Sequence, residues 1–74
     1  MDNKRVILYN DNVHEFLDIV NQIVKATNQK FDTANQLATA IRINGKFPIY
    51  YGTINECEHI ISILNEINLK TDII

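Results

Sequence analysis

Apolar residues recur along this chain with two different periods, and the switches between them mark out its elements. Arg5-Val6-Ile7-Leu8-Tyr9 is a β-branched and aromatic run that ends at Asn10-Asp11-Asn12, as a strand meeting a turn does. Phe16, Ile19, Val20, Ile23 and Val24 then fall on one helical face. Asn12 is suited to cap that helix, with Glu15 completing a capping box in which Asn replaces Ser or Thr. The helix is expected to fade over Ala26-Thr27-Asn28. A second helix, capped at Asp32 or Thr33, turns Ala34, Leu37, Ala38 and Ile41 inward and stops at Asn44-Gly45, where glycine takes the left-handed conformation.

Lys46 to Tyr51 reads as a second strand with Phe47, Ile49 and Tyr51 on one face. Pro48 has no N–H to give to a ladder, which places that strand at an edge or pairs it on one side only. Thr53-Ile54-Asn55-Glu56 has the spacing of a capping box and opens a third helix, whose buried stripe is Cys57, Ile60, Ile61, Leu64 and Ile67. Leu69, Thr71 and Ile73 alternate with Lys70 and Asp72, a last strand with one wet face. The expected fold is a single α+β domain in the order β-α-α-β-α-β, a three-stranded antiparallel sheet packed against three helices. Residues 1–4 form a short tail and residues 5–74 the core domain.

Composition narrows the function classes. A chain of 74 residues supports one core, and 46% hydrophobic content makes it globular and not disordered. The formal charge is −2 and no face gathers Lys and Arg into a stripe, so no nucleic-acid partner is expected. Apolar runs fall far short of the roughly 20 residues that span a bilayer, and no basic-then-apolar leader opens the chain. Cys57 is the single cysteine, which excludes an internal disulfide and fits a reducing cytoplasm. Neither membrane association nor secretion is expected.

Candidate chemistry is sparse. His14 and His59 lie on different predicted helices, and no cysteine or carboxylate cluster offers metal-ligand spacing near either. Cys57 and His59, two apart on a helix, point about 200° away from each other and make a poor nucleophile and base. Asn44-Gly45-Lys46 lacks the glycine spacing of a phosphate loop. No catalytic residue, metal or cofactor is expected, and the chain reads as a binding module. The Asn10-Asp11-Asn12 turn supports two readings, a helix-capping turn or a polar rim whose oxygens face a cationic or donor-rich ligand beside an apolar pocket.

Val6-Ile7-Leu8-Tyr9-Asn10-Asp11-Asn12 resembles the strand and Asn-Asp-Asp turn that open the core of the ClpS adaptor family. Ala40-Ile41-Arg42-Ile43-Asn44-Gly45-Lys46 resembles that family's Ala-Val-His-x-x-Gly-Lys segment, and the order of elements agrees over nearly the whole chain. The stretches from Asn12 to Phe16 and from Lys46 to Gly52 look most like the ClpS proteins of Bacteroidetes. The resemblance implies a cytoplasmic adaptor that binds protein N-termini beginning with a bulky hydrophobic residue and hands them to a Clp-type AAA+ ATPase. It implies that Asn10 and Asp11 hydrogen-bond the α-amino group and first backbone of such a degron, with Arg42 at a third amine-recognition position. It also implies a hydrophobic pocket of Val13, Leu17, Ala38, Ile41 and Leu69, with His14 at the rim. Ala38 stands where bacterial adaptors often have a methionine that excludes β-branched side chains.

The resemblance departs from the family pattern at two points. Arg42 stands where the family has a histidine that accepts a hydrogen bond from the amine, and arginine has no acceptor. Only four residues precede the first expected strand, where family members carry a flexible extension used in delivery. Two alternatives follow: a divergent ClpS-like interaction module with altered ligand preference, and a translation-factor-binding domain like that of the bacterial stalk ribosomal protein, which has a related topology.

Overall fold

The computed structural model describes residues 3–74. Its elements are β1 (Lys4–Tyr9), α1 (Phe16–Thr27), α2 (Phe31–Asn44), β2 (Lys46–Gly52), α3 (Ile54–Leu64) with a 3-10 turn over Asn65–Ile67, and β3 (Thr71–Ile73). The order and class are those expected, a three-stranded antiparallel sheet with three helices. Residues 1–2 of the expected tail lie outside the described residues, and Lys4 is already the first residue of β1.

The sheet order is β2-β1-β3, so the most apolar strand is the central one and β2 is an edge, as Pro48 requires. Val6 and Leu8 of β1 are fully buried and meet Ile19, Val20 and Ile23 of α1, Ala34, Ala38 and Ile41 of α2, and Cys57, Ile60 and Leu64 of α3 in one core. These helical residues are the stripes expected from periodicity. Gln22, inside the α1 stripe, is also buried and donates to the Ile63 carbonyl at 2.6 Å, so its polar end is satisfied.

Several local expectations give way to tertiary context. In β2, Val6 faces Tyr50 and Ile7 faces Pro48, which leaves Ile49 as the extra residue of a bulge. The bulge breaks the alternation. Phe47, Ile49 and Tyr50 all pack on the core, whereas Tyr51, expected beside Phe47 and Ile49, is 59% exposed. Asn12 does not cap α1: the helix begins at Phe16 with Glu15 at the cap position and no side-chain cap bond. Helix α2 also starts earlier than expected, after Lys30 instead of Asp32 or Thr33. Asp32 lies in its first turn, where a carboxylate favours the positive end of the helix dipole without capping it.

The last strand is shorter than the expected Leu69–Ile73, beginning only at Thr71, and α3 gives way to the 3-10 turn before Ile67. The boundaries that follow are the expected ones. Thr53 Oγ1 accepts from Glu56 N at 3.2 Å while Glu56 Oε1 accepts from Thr53 N at 2.8 Å, a complete capping box at the start of α3. Gly45 ends α2 with φ +87°, and Asn28 ends α1 in the left-handed region. Because Gly45 stops α2 sharply, its carbonyl can accept from Asn10 N at 2.8 Å, which ties the end of α2 to the end of β1.

Candidate functional site

Three element ends meet at that corner: the C-terminal end of β1, the start of α1 and the last turn of α2. They enclose a cavity of about 120 Å³ lined by Tyr9, Asn10, Asp11, His14, Phe16, Ile19, Ala38, Ile41 and Arg42. An apolar cavity of roughly 150 Å³ takes a benzene molecule, so this volume suits one amino-acid side chain. Ile19, Ala38 and Ile41 are buried and supply the apolar lining, joined by the half-buried rings of Tyr9 and Phe16. Asn10, Asp11, His14 and Arg42 make the lining polar on the other side.

The bend between β1 and α1 is organised by Asp11. Its Oδ1 accepts from Val13 N at 2.8 Å and its Oδ2 is paired with His14 Nδ1. The hydrogen bond from the His14 ring, followed by that from the Val13 N–H, holds the Asp11 carboxyl below its ordinary value of 3.8. Asp11 is therefore an anion at neutral pH. This bend also explains why α1 starts late: Asp11, and not Asn12, is the side chain that captures a following backbone N–H, so residues 11–14 turn before the helix can begin.

Helix α2 delivers the opposite charge. Arg42, in its last turn, is favoured there by the helix dipole. Its guanidinium lies over the Phe16 ring, 4.4 Å from the centroid, joining the last turn of α2 to the first residue of α1. Two further cations flank the other lining ring: the ammonium groups of Lys46 and Lys70 lie 5.6 and 5.1 Å from the centroid of Tyr9.

Of the residues expected at the site, Asn10, Asp11, His14, Ala38, Ile41 and Arg42 come together around the cavity. Three do not. Val13 is 86% exposed because the helix begins only after it, and Leu17 is 54% exposed because it lies off the face of Phe16, Ile19 and Ile23 that α1 turns inward. Leu69 is buried in the main core and does not reach the cavity. Tyr9, Phe16 and Ile19 take their place in the lining. Phe16 and Ile19 were visible as the first two members of the α1 apolar stripe, but nothing in that stripe distinguishes cavity from core.

Elsewhere the chemistry is bland. Cys57 is buried, which pushes its thiol up, and its Sγ lies 3.9 Å from the Gly52 carbonyl, while His59 is exposed. Among the described residues no three His, Cys, Asp or Glu side chains gather in a way that could hold a metal, and no helix is long and apolar enough to cross a membrane.

Residues 1–71 match the family model of the ATP-dependent Clp protease adaptor protein ClpS. Among solved structures the fold is similar to Agrobacterium tumefaciens ClpS2 bound to L-phenylalaninamide, with a TM-score of 0.89 at 12% identity, covering 97% of this chain and 94% of that one. No curated protein matches the sequence.

Proposed function

This chain belongs to the ClpS family of Clp protease adaptors, and from that premise we propose that its cavity binds the N-terminal residue of a substrate protein for delivery to a Clp-type AAA+ ATPase. The observation that carries this reading is the pairing, in one cavity, of an apolar lining sized for one side chain with an ionised Asp11 beside it. An α-ammonium has three donors and no acceptor, so it needs convergent oxygens, and Asn10 and Asp11 provide them. A Leu- or Phe-sized side chain entering against Ile19, Ala38 and Ile41 gains roughly 1.5–3 kcal/mol from burial. Each hydrogen bond between the ammonium and a carboxylate adds about 1.5–3 kcal/mol. L-phenylalaninamide, the ligand of the similar ClpS2 structure, has the same features: a free α-amine, an apolar side chain, and an amide where the next peptide bond would be.

Recognition of this kind moves no bond, and the role is that of an adaptor without catalysis. The family match favours this role over the translation-factor-binding alternative, which rested on topology alone.

The test is fluorescence anisotropy with Leu- and Phe-initiated peptides carrying free or acetylated amino ends. Acetylation removes the charge, and affinity is expected to fall by roughly tenfold or more. Equal binding of the two forms would overturn the reading. Delivery is tested by whether the adaptor accelerates degradation of a Leu-initiated reporter by a Clp ATPase and its protease.

A further inference from the structure

Among the described residues, the cations around the cavity have no anionic partner in an ion pair. The ion pairs among the described residues are His14 with Asp11 and Lys25 with Glu66, and neither includes Arg42, Lys46 or Lys70. Asp11 pairs with His14 and accepts from the Val13 N–H, and no ion pair links it to Arg42. Arg42 is held in place by the face of Phe16, which leaves the donors at the edge of its planar guanidinium free for a planar anion. It is also exposed, in contrast to Ala38 and Ile41 on the same helix, so it stands at the outer end of the α2 lining.

A peptide seated with its first side chain against Ala38 and Ile41 must leave the cavity within one or two residues, since consecutive Cα atoms are about 3.8 Å apart. Its ammonium is matched by Asp11, and the next groups along it leave past Arg42. We infer that Arg42 sets specificity at the second ligand residue, so that the cavity prefers N-termini in which a hydrophobic residue is followed by Asp or Glu. The inference rests on the proposed function, because it places the peptide by its first residue. A helix-dipole role alone accounts for a cation in the last turn of α2 but predicts no such preference.

The test uses the full chain and longer peptides with amidated C-termini, so that the carboxylate varied is a side chain and not a chain end. All begin with Leu and differ only in a second residue of Ala, Asp, Glu or Lys, with free and acetylated versions of each. At low ionic strength the acidic peptides are expected to bind roughly two- to five-fold more tightly than the Ala peptide, with the Lys peptide weakest. Arg42→Gln should level the series and Arg42→Glu should reverse it, an inversion that a structural role for Arg42 would not produce. Equal affinities across the parent series, or a preference unchanged in Arg42→Gln, would overturn the inference while sensitivity to acetylation kept the proposed function intact. Insensitivity to acetylation would remove both.

Discussion

His14 Nδ1 is hydrogen-bonded to Asp11 Oδ2 across the bend that carries β1 into α1, and the pair lies in the wall of the cavity. This contact holds the shape of the bend and keeps a negative charge where a ligand amine would arrive. Its direction with pH follows from the lowered Asp11 pKa. The carboxylate supports the fold, and under the proposed function the binding of an amine, above 3.8, and that support is lost only as the pH falls through the lower folded value.

An NMR titration of the Asp11 carboxyl carbon should therefore show a midpoint below 3.8 in the parent, moving back toward 3.8 in His14→Ala. A parent midpoint at or above 3.8 would mean that the pair does not hold the charge. Asp11→Asn, which keeps an oxygen for the Val13 N–H but loses the charge, should still fold, with a modest loss of stability from the missing His14 pair. It should bind free-amine peptides at least roughly tenfold more weakly.

Ala38 is buried at 3% exposure, yet it faces a cavity of about 120 Å³. A methionine side chain there would enter that space. Side chains that are wide at Cβ should suffer most, so Ala38→Met is expected to weaken Ile- and Val-initiated peptides selectively over Leu-initiated ones. If Ala38 serves only close helix packing, the same substitution overpacks the core. Stability then falls by about 1–3 kcal/mol with no change in selectivity. Thermal melts run beside the peptide panel separate the two.

Gly45 has φ +87°, and a Cβ built on it would meet no atom within 4 Å. The cost of Gly45→Ala is therefore conformational and not steric with neighbours, about 1–2 kcal/mol for an L-residue in the left-handed region. For a domain of this size each kcal/mol lowers Tm by roughly 4–8 °C. Gly45→Asn should lose less, since asparagine tolerates that conformation. Calorimetry in which the alanine variant melts with the parent would show that the turn has no need of glycine.

Much of this architecture was legible because it is governed by local physics. The stripes of α1, α2 and α3 follow from helical periodicity, the start of α3 from the reciprocal reach of Thr53 and Glu56, and the end of α2 from the residue type that most readily takes Gly45's left-handed backbone. The edge position of β2 followed from a missing N–H at Pro48. Asn10 and Asp11 could be singled out as candidates because short polar side chains cluster there between a strand and an apolar stripe, although a capping turn was an open reading of the same residues.

Tertiary structure decided what depends on phase and on partners distant in sequence. A helix that starts at Phe16 and not just after Asn12 leaves Val13 outside it, while packing against the end of α2 decides that Phe16 and Ile19 line the cavity and that Leu17 stays exposed. The single extra residue at Ile49 turns Tyr51 from the core face to solvent, because side-chain direction in a strand has a period of two. Leu69 packs in the core and not against the cavity, a difference that no local signal in the sequence records. The stack of Arg42 on Phe16 joins the end of one helix to the start of another, and no periodicity within either helix encodes it. Periodicity records which face of an element is apolar; only packing determines whether that face meets another side chain or a space left for a ligand.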